Sequence, residues 1–194
     1  MFKGLIERLT LITFTPAKAW MEIIKENPKE TDVRNSYVFP FMGLIALASF
    51  LGALIFGQEE TFNLNVQHAI IKSCITFVSL FAGFFLASFV LNELIEKFDQ
   101  EKNLQRTQIF VGYASSILYA IDLVLELQLI PEFFFLQIFI FYTVYVIWES
   151  VGIYYTVIEE RRVLFVAVTS LIVLAAPSLV ELALNFLLPG VSVE

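Results

Sequence analysis

Five long apolar stretches divide this sequence, and they restrict the chain to folds that a lipid bilayer can hold. They run approximately over residues 37–57, 69–95, 107–129, 132–155 and 163–188. A helix needs about 20 mainly apolar residues to cross a hydrocarbon core about 30 Å thick, and each stretch reaches that length. The strands of a membrane β-barrel would instead alternate apolar with polar residues over about 10 positions. The sequence therefore predicts an all-α bundle of five transmembrane helices.

The composition agrees with a membrane protein and limits its chemistry. Hydrophobic residues make up 58% of the chain and charged residues 16%, against about 45–50% and 25% in a soluble domain. One cysteine, Cys74, and one histidine, His68, exclude an intramolecular disulfide and a thiolate or histidine-rich zinc site. The sequence has no glycine-rich phosphate loop, nucleophile elbow or basic stripe with interleaved aromatic residues. We expect no enzymatic activity, metal, cofactor or nucleic-acid partner.

Lysine and arginine residues alternate between the segments that flank the apolar stretches. From the N-terminus, these segments hold six, zero, three, zero, two and zero basic residues, and Lys72 alone falls inside a stretch. Basic residues near the ends of a span are retained on the cytoplasmic side. We therefore predict a cytoplasmic N-terminus and an outer C-terminus, in the cytoplasmic membrane if the source is bacterial. Three regions follow: a cytoplasmic segment (1–36), a transmembrane domain (37–188) and a short outer tail (189–194).

The segment before the first stretch is amphipathic. Its first apolar residues recur at helical spacing, and they are Phe2, Leu5, Ile6, Leu9 and Ile12. Thr15-Pro16 is typical of a helix start, with the proline at the first helical position. Trp20 suits the headgroup level, where its ring is apolar and its N–H is wet. These one or two helices are expected either to lie along the membrane surface or to pack on the protein's own loops.

Small residues collect in the first two stretches, among them Gly52 and Gly83. In lipid, where packing drives helix association, small residues let helices approach closely. Pro177 lies near the middle of the fifth stretch and is expected to kink that helix.

Charged residues inside the stretches form two groups. Counting about 1.5 Å per residue along each span puts four of them in the outer third of the membrane: Lys72, Asp122, Glu126 and Glu181. A second, weaker group lies on the cytoplasmic side: Asn92, Glu93 and Glu149. Because charge at mid-bilayer costs about 2.5–3.5 kcal/mol on the milder scales, the first group is either an ion or substrate site or a structural pairing. In the structural case, Lys72 pairs with one acid and Glu126 extends to the surface.

Several single positions resemble the bacterial Yip family of membrane proteins. Thr15-Pro16-Ala17-Lys18-Ala19-Trp20 is similar to the family's opening, in which a proline precedes a tryptophan. The positions that carry the resemblance are Pro16, Trp20, Pro40, Gly112, Tyr113, Trp148 and Gly152. The resemblance implies five spans and, in eukaryotic members, interaction with Rab GTPases. This sequence contains no acidic Glu-Leu-Gly-Ile type segment, so we do not expect a Rab partner.

The family often has a proline after the Gly-Tyr pair of span three. Here Ser115-Ser116-Ile117 follows Tyr113 and Ala114, so a helix break at that point does not follow from the resemblance.

The leading functional hypothesis is a non-enzymatic scaffold or adaptor that binds membrane-protein partners, forms a homo-oligomer or organises the lipid bilayer. A second hypothesis is a small-solute or ion transporter or channel that uses Lys72, Asp122, Glu126 and Glu181. A third is a lipid-binding or lipid-handling protein.

Overall fold

The described residues form an all-helical bundle. The structure, a computed structural model, describes residues 2–57, 61–128 and 131–187; the predicted outer tail lies outside this part. Two short helices come first, α1 (Phe2–Phe14) and α2 (Pro16–Glu26). The helices that follow are α3 (Glu30–Val33), α4 (Phe39–Phe56), α5 (Phe62–Leu94), α6 (Leu104–Ala114), α7 (Ser116–Glu126), α8 (Tyr142–Ser150) and α9 (Glu159–Leu187). The predicted all-α membrane fold is confirmed.

The count of five spans is not confirmed. Three helical runs of the described residues are long and apolar enough to cross a membrane: Glu30–Phe56, Phe62–Phe98 and Glu159–Leu187. The bent pair α6 and α7 raises the number to four if it forms one span. The predicted fourth stretch instead forms a 3₁₀ helix, Pro131–Phe141, that continues into α8. A 3₁₀ helix rises about 2.0 Å per residue, so a crossing by this segment stays a prediction.

Pro40 lies within a longer helical run than the sequence suggested. A π-helical turn, Arg34–Val38, joins α3 to α4, so the run extends from Glu30 to Phe56. Pro40 has no N–H to donate to the carbonyl four residues before it. The wider turn lies where that hydrogen bond is missing, and π turns inside α-helices commonly bend them.

The third apolar stretch breaks at Ser115 although no proline is present. Helices α6 and α7 meet there at an angle of 46°. Ser115 Oγ donates to the Val111 carbonyl at 2.8 Å, and Ser116 Oγ donates to the Tyr113 carbonyl at 2.5 Å. Such side-chain bonds compete with the helix's own backbone bonds and bend it. Tyr37 Oη lies 2.7 Å from Ser116 Oγ, which ties the break to the start of the first span.

Helices α5 and α9 pack closely where Gly83 faces Pro177. A Cβ added at Gly83 would lie 2.6 Å from Pro177 Cα and 2.8 Å from Pro177 N. Gly52 of α4 likewise lets the backbone of Glu126 approach. Helix α9 continues through Pro177, so the predicted kink does not divide it.

The N-terminal helices dock on the bundle. We call α1 and α2 the N-terminal platform; α1 contacts α7, and α2 contacts α8. Tyr142 Oη donates to the Thr13 carbonyl at 2.8 Å, and Arg8 forms an ion pair with Glu26 that joins the two helices. Helix α2 begins at Pro16, as predicted, and ends at Glu26, where the left-handed backbone of Asn27 (φ 44°) terminates it. The platform thus packs on protein along its inner face.

Candidate functional site

The structure brings together the four charged residues predicted for the outer third. Lys72 Nζ lies 3.3 Å from Glu126 Oε2, and both side chains are largely covered, with 20% and 26% of their surface exposed. Asp122 lies one helical turn before Glu126 on α7. It is near enough to Glu126 and to Glu181 for their charges to interact. Of the three acids, Glu126 is therefore the one that Lys72 pairs with directly.

These acids line a cavity of about 430 Å³ between α5, α7, α9 and the 3₁₀ helix. Asp122 and Glu126 come from α7, and Glu181 comes from α9. Apolar side chains from all four elements complete the wall, among them Leu80 and Leu174. Glu181 and Gln137 are exposed, whereas Asp122 and Glu126 are half-buried. The cavity therefore has a polar rim and a more enclosed, acidic interior.

Small polar side chains that the sequence analysis missed also line this cavity: Thr76, Ser79, Gln137 and Ser178. Ser79 is 3% exposed, and its Oγ has no hydrogen-bond partner among the described residues. Thr76 Oγ1 instead lies 3.1 Å from Ser49 Oγ of α4. The available signal was spacing, because Lys72, Thr76 and Ser79 recur four and then three residues apart. That interval places them on one face of α5.

The second predicted polar group does not assemble as one site. Asn92 is buried and accepts a hydrogen bond from Thr107 at 3.5 Å. Glu93 forms an ion pair with Lys102 at 2.8 Å, and Glu96 joins it at 3.1 Å. Hydrogen bonds to these two carboxylates raise the pKa of Lys102 above its usual value. Glu149 lies apart from them on α8, where its charge interacts with Tyr142.

Trp20 is fully buried in protein. Its Nε1 donates to the Val146 carbonyl at 2.9 Å, and its ring stacks on Phe110 with centroids 5.1 Å apart. Tyr154 covers another side at 5.3 Å. The ring and N–H therefore contact protein and not headgroups, which differs from the predicted environment because the platform docks on α8. The depth of Trp20 in the membrane stays a prediction.

A basic and aromatic cluster that sequence analysis did not single out lies beside Trp20. Arg106 donates to the Tyr154 carbonyl, and Tyr154 Oη donates to the Arg106 carbonyl at 2.8 Å. The Arg106 guanidinium also lies over the Tyr154 and Tyr155 rings, 5.1 and 5.2 Å from their centroids. These reciprocal contacts hold the start of α6 against the loop after α8.

The other positions that carry the resemblance have structural contacts. Pro16 is buried at the start of α2, and a Cβ at Gly112 would lie 2.7 Å from Val38 Cγ2. The Arg162 guanidinium lies 4.4 Å from the Trp148 ring centroid. Gly152 has a φ of 89°, within the turn that follows α8. Tyr113 is buried beneath Arg8, 5.6 Å from its guanidinium carbon.

Across residues 2–57, 61–128 and 131–187, no group of three or more His, Cys, Asp or Glu side chains is placed to hold a metal ion.

Comparison with known proteins identifies the family. The family model described as the Yip1 domain matches residues 9–180. No curated protein is significantly similar to the chain, and no solved structure is. The matched region includes the platform from Leu9 onward, the bent α6–α7 pair and the cavity residues except Glu181. Because the match covers far more than half of the sequence, and the described residues form the apolar helical bundle of a membrane protein, the chain belongs to the Yip1 domain family.

Proposed function

We propose that this Yip-type membrane protein is a non-enzymatic scaffold or adaptor that binds membrane-protein partners through its N-terminal platform. We place the platform on the cytoplasmic side of a bacterial cytoplasmic membrane, following the alternation of basic residues. The observation that carries the proposal is a pair of helices docked on the bundle through Trp20, whose large apolar side chains are in part still exposed.

Among the described side chains of the platform, four large apolar ones are exposed. They are Ile6 (60% exposed), Phe14 (77%), Met21 (55%) and Ile24 (43%). Charged residues lie among them, including Lys18 and Glu22, whose Nζ and Oε1 atoms are 3.9 Å apart. Large apolar residues rimmed by charge are typical of a protein or membrane contact surface. Because the inner face is already docked on the bundle, we favour a protein partner over the lipid surface for the exposed side chains. A preformed surface loses less conformational freedom when it binds a partner.

Photo-crosslinking in intact membranes tests this proposal. A photoreactive amino acid at Met21 is expected to label a specific membrane protein. The control is a second variant that carries the same photoreactive amino acid at Leu104 and is otherwise wild type. Leu104 is also exposed (42%) and is predicted to lie on the same side of the membrane. This variant is expected not to label that protein. Ile24→Gln should reduce labelling from position 21 at least several-fold. Labelling of lipid alone at position 21 would contradict the scaffold proposal and favour a membrane-surface role.

A second candidate function is transport of a small solute or ion, and the acidic cavity favours it. Asp122 and Glu181 line a space of about 430 Å³ among helices that are long and apolar enough to cross a membrane. Ionisable residues within membrane segments commonly mark substrate or ion pathways.

The transport candidate predicts that Asp122→Asn changes the uptake of radiolabelled cations into proteoliposomes while the protein keeps its helical content. Glu160→Gln, at the cytoplasmic end of α9 by the predicted orientation and away from the cavity, is the matched control. Loss of folded protein in Asp122→Asn would assign Asp122 a structural role instead.

A further inference from the structure

A cavity of about 420 Å³ lies where the platform meets the starts of α3 and α6. Its lining residues come from three parts of the chain: the end of α2 with the turn after it, the start of α6, and the turn that follows α8. It shares no described lining residue with the acidic cavity between α5, α7 and α9. The two cavities are therefore separate sites.

The lining of this second cavity carries a net positive charge. Lys29 and Arg106 supply two cations, and Glu30 is the one carboxylate among its described lining residues. Neither cation forms an ion pair within residues 2–57, 61–128 and 131–187. Helix α6 begins beside them at Leu104, and the start of a helix adds a partial positive charge. The cavity is therefore electrostatically suited to an anion.

Arg106 is held at this cavity by contacts that occupy few of its donors. Its Nη2 donates to the Tyr154 carbonyl, and the guanidinium carbon lies 5.1 Å from the Tyr154 ring centroid. A guanidinium has five N–H donors and an ammonium group, such as that of Lys29, has three. Asn103 Oδ1 accepts from the Arg106 backbone N–H at 3.0 Å, so the Asn103 amide nitrogen can donate elsewhere. Phosphate oxygens accept hydrogen bonds from charged donors of this kind.

The cavity also lies at the level of lipid headgroups. Lys29 directly precedes the candidate span Glu30–Phe56, and Arg106 is in the first turn of the bent pair that begins at Leu104. The ends of spans meet the headgroup region of a bilayer. Three isoleucines line the cavity as well: Ile23, Ile24 and Ile109. A phospholipid can place its phosphate on the cations and its carbon atoms on this apolar wall, whereas inorganic phosphate uses the cations alone.

We propose that the cavity between α2, α3 and α6 binds the phosphate group of an anionic phospholipid, held by Lys29, Arg106 and the Asn103 amide. The predicted orientation places this lipid in the cytoplasmic leaflet, where basic pockets between transmembrane helices bind phospholipid headgroups. The positive lining favours a lipid with a net negative charge, such as phosphatidylglycerol, over zwitterionic phosphatidylcholine. The inference is independent of the protein partner proposed for the platform and of the transport candidate.

Lipid retention by the full chain tests the inference. The protein is reconstituted in nanodiscs that contain equal amounts of phosphatidylglycerol and phosphatidylcholine with identical acyl chains. Native mass spectrometry then measures which lipid the protein retains after release. The expected result is retention of phosphatidylglycerol in preference to phosphatidylcholine.

Two lysines of the same segment separate a site from general attraction to charged lipid. Lys29→Gln should lower the preference about fivefold, the effect of losing one basic residue near a charged lipid surface. Lys25→Gln is the matched control, because Lys25 is also exposed but does not line the cavity; it should leave the preference unchanged. Arg106→Gln should lower the preference as well. Since Arg106 also holds Tyr154, the exposed Lys29 keeps the test valid if that variant does not fold.

Binding of radiolabelled glycerol phosphate, measured by equilibrium dialysis in nanodiscs of phosphatidylcholine alone, distinguishes a soluble phosphate compound from a lipid. Saturable binding of glycerol phosphate without a lipid preference would assign the cavity to a soluble ligand and overturn the inference. Equal retention of the two lipids by the wild-type protein, with no binding of glycerol phosphate, would also overturn it. An equal loss of preference in Lys29→Gln and Lys25→Gln would do the same, because it would show attraction to the whole surface and not to this cavity.

Discussion

The contact between Gly83 and Pro177 yields a quantitative prediction about how the bundle is held together. Gly83→Ala adds a methyl group 2.6 Å from Pro177 Cα and 2.8 Å from Pro177 N. Carbon atoms in favourable contact are about 3.5–4.0 Å apart, so α9 must move by about 1 Å away from α5 at this contact. The obstructing atoms belong to the backbone or are next to it, and they have no side-chain rotation available to avoid the new methyl group.

The expected destabilisation is the difference between two opposing effects. Overpacking a close contact costs about 1–3 kcal/mol, whereas replacing glycine by alanine inside a helix recovers about 0.5–1 kcal/mol. The difference lies at about 0–2.5 kcal/mol, and because the obstructing atoms cannot rotate away we expect Gly83→Ala to lower the free energy of unfolding by about 1–2 kcal/mol. Gly43→Ala is the matched control, because a Cβ at Gly43 of α4 meets nothing within 4 Å. The control should be unchanged or slightly more stable.

Reversible unfolding in mixed detergent micelles, followed by far-UV circular dichroism, measures both variants. A Gly83→Ala protein as stable as wild type, with Gly43→Ala behaving as expected, would refute the close approach of α5 and α9. Equal destabilisation by both changes would instead indicate that glycine is required for flexibility at many positions and not for packing at one.

Three further predictions test particular contacts. Trp20→Phe removes the donor to the Val146 carbonyl and should lower the stability of the docked platform by about 1–3 kcal/mol. Trypsin should then cleave the platform faster, and unchanged resistance to trypsin would contradict the prediction. Lys72→Met and Glu126→Gln should be coupled by about 0.5–3 kcal/mol in a double-mutant cycle of unfolding free energies, whereas additive effects would exclude the pair. Tyr37→Phe should lower stability by about 0.5–1.5 kcal/mol, measured in the same detergent titration, and no change would mean that its hydroxyl is not needed at the helix break.

Much of the fold followed from local properties of the sequence. The lengths of the apolar stretches predicted the long helices, and Thr15-Pro16 predicted the start of α2. The resemblance to the Yip family, carried by single proline, tryptophan and glycine positions, is confirmed by the family match over residues 9–180. The predicted outer-third charges also meet in one region, because counting along each span gives a side chain's level whatever its neighbours are.

The bend at Ser115 was not predicted, because the resemblance offered only a proline as the cause of a break. Two consecutive serines that bond back to the Val111 and Tyr113 carbonyls bend the helix in its place. The sequence also left open whether the helix that carries Trp20 packs on the membrane surface or on protein. Amphipathic spacing identifies an apolar face, but a membrane surface and a protein surface satisfy that face equally well.

The sequence alone therefore indicated that the chain is a helical membrane protein of this family and predicted that three acids and a lysine lie at a common level. The tertiary structure decided which acid Lys72 pairs with, that Ser79 lines an acidic cavity, and that Gly83 lies against Pro177. The physical reason is that hydrophobicity and helix length are local quantities along the chain. The rotation of each helix about its axis, and the choice of its neighbours, are set only when side chains from distant segments pack against one another.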